Sequence, residues 1–94
     1  KKATFNTPGL SHNRIWDIEN HDLNSLWIAT SFGLNLFNKQ TNTFQYFLPD
    51  ENNKTPTGAN EIRHILKTQD GKIYIGTQQG PFAFDIQSGS FNSI

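Results

Sequence analysis

The side chains that could carry out acid–base or metal chemistry in this chain are few and scattered. Its histidines, His12, His21 and His64, include no pair four residues apart, the spacing at which a helix presents two imidazoles to one zinc ion. Asp17 and Glu19 stand two apart, which on a strand places both carboxylates on one face, as an acid–base pair requires, but solvated strand residues show the same spacing. The glycines match no phosphate-binding loop. The sequence therefore predicts no catalytic residue, no metal site and no cofactor.

Composition narrows the function classes further. Eight Lys or Arg balance eight Asp or Glu among 94 residues, so no net field draws the chain to nucleic acid or anionic lipid. The longest apolar run, residues 26–29, is far shorter than the roughly 20 residues of a spanning helix. Cysteine is absent, which excludes disulfides and thiolate chemistry. We expect no nucleic-acid partner and no membrane contact in this segment.

An internal repeat indicates which secondary-structure elements would position a functional site. Residues 13–44 lie over residues 60–91 at a constant offset of 47 without a gap, and nine of the 32 positions are identical. Random pairing gives roughly two. The identical pairs are Asn13/Asn60, Ile15/Ile62, Ile18/Ile65, Ile28/Ile75, Thr30/Thr77, Gly33/Gly80, Phe37/Phe84, Gln40/Gln87 and Phe44/Phe91. Two repeat units therefore account for most of the chain.

Each unit has four short segments rich in β-branched and aromatic residues, separated by turn-forming residues. The predicted strands are 14–18, 26–30, 33–37 and 43–47 in the first unit, and 61–66, 73–77, 80–84 and 90–94 in the second. Ile15 and Ile18 stand three apart, so either both faces of that strand are buried or a β-bulge intervenes. Four antiparallel strands per 40–50 residues predict an all-β fold, a β-propeller fragment of two four-stranded antiparallel blades.

The segment Thr4-Phe5-Asn6 resembles Thr43-Phe44-Gln45, the fourth strand of the first unit. We therefore expect residues 1–9 to hold the outer strand of a preceding blade, residues 10–48 the first blade and residues 49–94 the second. The chain contains no methionine and starts at Lys1, so we interpret it as a piece of a longer protein.

Particular residues resemble the two-component regulator propeller repeat, a family with an Asn before the first strand, a Trp-Ile-Gly-Thr core and a Gly-Leu exit from the next turn. The first unit carries this pattern as Asn13, residues 27–30 and Gly33-Leu34. The second unit departs from it only mildly, at Tyr74 and Pro81. The resemblance implies the extracytoplasmic sensor propeller of a hybrid histidine kinase, hence a periplasmic location and glycan fragments as ligands.

In propellers of this strand order, the connections from outer to inner strands and the turns between second and third strands emerge on one face. The turns differ between the units, with Ser-Phe in one and Gln-Gln in the other, and variable tips on a rigid scaffold commonly form binding surfaces. We therefore predict a ligand-facing set that offers one aromatic ring with imidazole, guanidinium and amide groups. Its members are His12, Arg14, Phe32, Gln78 and Gln79. Ordinary exposed turn residues are the alternative interpretation.

Trp16 is a further aromatic candidate, whereas Trp27 and Tyr74 lie in strands that are apolar on both faces and are predicted to be core. Trp16 has Arg63 as its repeat partner. A position that accepts either an aromatic ring or a cation is typical of a surface or an interface. Packing between blades is the favoured role, and ligand contact is the alternative.

Three function classes fit these observations. A non-catalytic sensory or ligand-binding module is favoured, because the residues that break the repeat are mostly Asn, Gln, Lys and Thr rather than acids and bases. The alternatives are a piece of a propeller enzyme acting on polysaccharide, and a protein-interaction scaffold. Two blades leave apolar sheet faces open, so we expect neighbouring blades or further copies of the chain to cover them.

Overall fold

A computed structural model describes residues 4–7, 9–53, 55 and 57–94. Within these ranges the chain is all-β, as predicted, with one short 3-10 helix at Gly58–Asn60 and no α-helix. The strands are β1 (Thr4–Thr7), β2 (Ile15–Asp22), β3 (Ser25–Thr30), β4 (Gly33–Asn38), β5 (Thr43–Phe47), β6 (Ile62–Lys67), β7 (Ile73–Thr77), β8 (Gly80–Asp85) and β9 (Ser90–Ser93).

The strands form two antiparallel sheets in which, apart from β1, sequence neighbours are also spatial neighbours. The first sheet has the order β1-β5-β4-β3-β2 and the second has the order β6-β7-β8-β9. Strands β2–β5 and β6–β9 are the two four-stranded blades that the repeat predicts. Each blade is a simple meander, because short turns can join only antiparallel neighbours.

The first sheet carries one strand more than expected. β1 pairs with the outer strand β5 in antiparallel register, from Thr4 opposite Phe47 to Thr7 opposite Phe44. The sequence placed this segment in a preceding blade, whereas the structure places it in the first sheet. The physical reason is that the outer edge of β5 presents a row of backbone N–H and C=O groups, which a further strand satisfies. Residues 1–3 and 8 of the predicted segment lie outside the described residues.

The turn between the second and third strands is built in the same way in both blades. Gly33 and Gly80 adopt φ angles of 101° and 103°, which favour glycine because they are unfavourable for residues with a Cβ. The Thr30 hydroxyl donates to the carbonyl of Gly33 at 3.0 Å, and the Thr77 hydroxyl donates to that of Gly80 at 2.7 Å. The repeat in the sequence is therefore a repeat of hydrogen bonds as well.

The blades pack face to face around aromatic and aliphatic side chains. The buried core consists of Trp27, Ala29, Leu34 and Phe47 from the first blade and Ile62, Ile65, Ile73, Ile75 and Phe84 from the second. The ring of Trp27, which has no exposed surface, meets that of Phe84 edge to face with 5.4 Å between centroids. Such pairs are typical of well-packed aromatic cores. Trp27 is core, as predicted, whereas Tyr74, which was predicted to be core by the same argument, is only half-buried.

Polar contacts join the innermost strands of the two blades. The carboxylate of Asp17 accepts a hydrogen bond from the backbone N–H of Ile65 at 2.9 Å. The Nζ of Lys67 donates to the carbonyls of Asn20 and His21 at 3.3 and 3.1 Å. Asp17 therefore serves to connect the blades.

The outward face of the first blade is open. Ile15 and Ile18 are 44% and 53% exposed, whereas their repeat equivalents Ile62 and Ile65 are 0% and 7% exposed. The residue types are the same, so the difference lies in the neighbour: the second blade packs against the first, and nothing among the described residues covers the outward face of the first. Apolar surface of this kind is what a neighbouring blade would bury.

Candidate functional site

Matching β-bulges shape the innermost strand of each blade. The register between β2 and β3 shifts between Ile15 and Asp17, so Trp16 is the extra residue of the bulge. The register between β6 and β7 shifts at the equivalent point, and Arg63 is the extra residue there. A bulge changes the direction of a side chain, which is why bulges are frequent near functional sites. Of the two explanations for the three-residue spacing of Ile15 and Ile18, the structure shows the β-bulge.

The two bulge residues meet at the boundary between the blades. The Cζ of Arg63 lies 4.7 Å from the centroid of the Trp16 ring, and the Cζ of Arg14 lies 4.6 Å from the same centroid. Both distances fall within the range in which a guanidinium is attracted to the π-system of indole. The indole Nε1 donates to the Ser31 hydroxyl at 2.9 Å, which fixes the ring. We call Arg14, Trp16 and Arg63 the Trp16 stack.

The Trp16 stack and its neighbour Glu61 together carry a net positive charge. Arg63 pairs with the carboxylate of Glu61 at 3.2 Å, and the Glu61 side chain is only 12% exposed. No carboxylate pairs with Arg14 among the residues that the structure describes, and Arg14 is exposed. Two guanidinium groups and one carboxylate therefore give this site a net charge of about +1 at neutral pH.

The Trp16 stack lies beside the turns that join the second and third strands. The backbone N–H of Ser31 donates to the carbonyl of Arg14 at 3.1 Å, and that of Gln78 donates to the carbonyl of Glu61 at 3.2 Å. These equivalent bonds hold the start of each inner strand against the turn of its own blade. The stack therefore joins the turn region of the first blade to that of the second.

Three of the five predicted ligand-facing residues gather around the first turn. The Nδ1 of His12 accepts the backbone N–H of Arg14 at 3.0 Å. The ring of Phe32 is half-buried and packs at a tilt on Tyr46, with 5.8 Å between centroids. The Ser11 hydroxyl bonds to the carbonyl of Phe32, which ties the incoming loop to the turn.

Gln78 and Gln79 belong to the second turn and are exposed. The side-chain carbonyl of Gln78 accepts the backbone N–H of Gly58 at 2.7 Å, so this turn is tied to the loop between the blades. The predicted set thus forms one group in each blade, and ligand contact by its members stays a prediction. Sequence reasoning left Trp16, Arg63 and Glu61 out of the set.

A groove of about 460 Å³ lies on the open face of the second blade, with Tyr74 and Ala83 among its lining residues. Their repeat equivalents in the first blade, Trp27 and Leu36, lie on the face that the second blade covers. The groove therefore lies on the face of the second blade that is equivalent to the covered face of the first.

The described residues contain no group of three His, Asp or Glu side chains arranged to hold a metal ion. Across the same residues, no helix has the length and apolar character needed to cross a membrane.

The two four-stranded meanders β2–β5 and β6–β9, packed face to face, define a fragment of a β-propeller. A family model described as a two component regulator propeller matches residues 58–79. This segment runs from the 3-10 helix at Gly58–Asn60 through β6 and β7, and it includes the Ile75-Gly76-Thr77 part of the repeat core. The matched family is the one that the sequence resembles, and the match covers the first half of the second repeat unit. Neither the curated proteins nor the solved structures gave a match.

Proposed function

We propose that this chain is part of a sensory, ligand-binding propeller of a two-component signalling protein. The observation that carries the proposal is the match of residues 58–79 to a repeat of two-component regulators, in a chain that holds the same blade twice. A propeller of this kind acts by binding, because its repeat is non-catalytic. The parent protein is a membrane-anchored histidine kinase, and the blades lie in the periplasm.

The proposed ligand is a glycan fragment that binds at the end of the blades where the two turns lie. Phe32 offers an aromatic face, and Gln78 and Gln79 offer exposed amides that can both donate to and accept from sugar hydroxyls. His12 and Arg14 extend this polar surface. A rigid meander beneath variable turns is an arrangement on which binding surfaces are commonly built.

Calorimetry with a panel of neutral and acidic oligosaccharides tests the ligand class on the 94-residue chain. We expect binding by at least one sugar, weakened at least tenfold by Phe32→Ala. Lys39→Ala is the matched control, since Lys39 is exposed on the turn between β4 and β5, at the opposite end of β4 from Phe32. A panel without any binding, or equal affinity in both variants, overturns the proposal.

The proposed partners are neighbouring blades or further copies of this chain. The face of the first blade with Trp27 already packs against the face of the second with Ile62 and Ile65. Tyr74 is the repeat equivalent of Trp27, so the open face of the second blade that carries Tyr74 corresponds to the Trp27 face of the first. Ile15 and Ile18 are the repeat equivalents of Ile62 and Ile65, so the open face of the first blade corresponds to the covered face of the second. Open faces that match each other head to tail favour closure into a ring or continuation along a longer chain.

Light scattering tests this partner proposal. We expect the chain to associate at tens of micromolar, and Ile18→Asp to weaken association by placing a charge on the open face. Leu23→Asp is a control, because Leu23 is 92% exposed in the turn between β2 and β3. A monodisperse particle of 10.7 kDa for the unmodified chain contradicts the proposal.

A further inference from the structure

We infer that the Trp16 stack binds an oxyanion, a carboxylate or sulfate group, of the ligand. The inference rests on the proposed function, since it gives the charge of a ligand that binds at the same end of the blades. It starts from an imbalance: two guanidinium groups share one ring, and Glu61 pairs with only one of them. Like charges held close together repel, and a bound anion removes that repulsion.

The spacing of the two cations suits a single anion. Both Cζ atoms lie less than 5 Å from the same ring centroid, so they are at most about 9 Å apart. A guanidinium that donates to a carboxylate or sulfate holds its Cζ about 4 Å from the central atom of the anion. One oxyanion can therefore bridge two guanidinium groups whose Cζ atoms are up to about 8 Å apart, which covers most of the range that the shared ring allows Arg14 and Arg63.

Hydrogen-bond donors remain available at this position. Arg63 gives one Nη2 hydrogen to Glu61, and the guanidinium of Arg14 donates to no other side chain or carbonyl among the described residues. Arg14 is exposed and the Arg63 side chain is 43% exposed, so a ligand can reach both.

The site is also held in place before any ligand binds. The bond from Nε1 to Ser31 fixes the plane of Trp16, and the ring in turn restricts both guanidinium groups by stacking. The bulges fix the direction of Trp16 and Arg63, since regular ladder pairs flank each of them. Preorganised donors bind more tightly because little side-chain freedom is lost on binding.

Packing alone is the competing explanation for the Trp16 stack, and nuclear magnetic resonance separates the two. The chain has two tryptophans, so its spectrum holds two indole N–H signals, one from Trp16 and one from the fully buried Trp27 as an internal reference. The probes are sodium glucuronate, glucose and sodium sulfate, each titrated at constant ionic strength with sodium chloride. Glucuronate and glucose differ in one carboxylate, which isolates the contribution of charge.

We expect glucuronate to shift the Trp16 signal saturably while that of Trp27 stays fixed, and Arg14→Gln to weaken this binding at least tenfold. Lys39→Gln is the control, an exposed cation on the turn between β4 and β5. Sulfate binding as tight as glucuronate identifies a site for free oxyanions, whereas tighter glucuronate binding identifies a carboxylate on a sugar. Both outcomes support the inference.

Two outcomes overturn it. If neither anion shifts the Trp16 signal, the stack is a packing contact only, and Arg14→Gln then changes stability without changing binding. If glucose binds as tightly as glucuronate and Arg14→Gln has no effect, the sugar-binding proposal stands but the oxyanion site does not. Arg14 is exposed, so the variant is expected to fold, and an unchanged Trp27 signal verifies this.

Discussion

Asn60 provides a sharp test of how the loop between the blades is held. Its side chain is fully buried and makes three hydrogen bonds of 2.8 Å. Its carbonyl oxygen accepts the backbone N–H of Asp50, and its amide donates to the carbonyls of Asp50 and Asn53. The perturbation is Asn60→Ala, which removes all three bonds while leaving the backbone unchanged.

The expected loss follows from the number of bonds and from the exposure of their partners. Each hydrogen bond contributes about 0.5–1.5 kcal/mol net. Asp50 is exposed and Asn53 is half-buried, so water replaces part of what is lost. We expect Asn60→Ala to lower the free energy of unfolding by about 2–3 kcal/mol, which for a domain of this size lowers Tm by about 10–20 °C.

Asn13→Ala is the matched control, because Asn13 occupies the same position of the first repeat. Asn13 is exposed, and its side chain makes no hydrogen bond within the described part of the chain. We expect this variant to stay within about 0.5 kcal/mol of the unmodified protein. Urea denaturation followed by circular dichroism, with all proteins at one concentration, measures both variants.

Asn60→Asp tests the direction of the amide hydrogen bonds. A carboxylate can accept from the backbone N–H of Asp50 but cannot donate to two carbonyls, so we expect a loss at neutral pH at least as large as that of Asn60→Ala. Acidification protonates the introduced carboxyl and returns part of the lost stability. Equal stabilities for the alanine variants at positions 13 and 60 would refute the reasoning.

Two further predictions concern turns. Gly33→Ala and Gly80→Ala meet the same backbone strain, about 1–3 kcal/mol, but only at Gly33 would a Cβ lie 3.0 Å from the carbonyl oxygen of Phe47. Thermal unfolding is expected to show the larger loss for Gly33→Ala, and equal losses would contradict this. The pKa of Asp22 lies below its ordinary 3.8, because its carboxylate accepts hydrogen bonds from the Ser25 hydroxyl, which has the larger effect, and from the Asn24 N–H. The Asp22 carboxylate therefore stabilises the folded protein at pH values above the pKa that it has in the unfolded chain. This stabilisation is lost as the pH falls through the lower pKa that it has in the folded protein. Ser25→Ala raises the pKa of Asp22 in a nuclear magnetic resonance titration, and an unchanged midpoint would count against the assignment.

The strands were predictable because each depends on local composition. β4, β5, β7 and β8 begin within one residue of the predicted positions, since turn-forming residues and glycines bound them. β2 was less predictable at its end: it continues to Asp22, beyond the apolar segment that ends at Ile18. Its polar second half pairs with β3, and such pairing depends on the backbone of the partner strand rather than on hydrophobicity.

The candidate site was predictable only in part. The sequence indicated that Trp16 and Arg63 occupy one repeat position and that the spacing of Ile15 and Ile18 is irregular. It did not indicate that Arg14 and Arg63 reach the same ring, because Arg14 and Arg63 are separated by 48 residues of intervening chain. Repeat alignment shows which residues are equivalent in different blades, whereas a contact across the boundary joins residues that are not equivalent.

The sequence by itself determined the all-β fold, the two blades and the core role of Trp27, because the periodicity of apolar residues and the positions of turn residues are local properties. The tertiary structure alone decided which apolar face of each blade is covered, and so why Ile62 is buried while the identical Ile15 is 44% exposed. It also decided where the bulge residues point and that β1 joins the first sheet. These features depend on the relative placement of segments far apart in the chain, which packing and hydrogen bonding between the elements set.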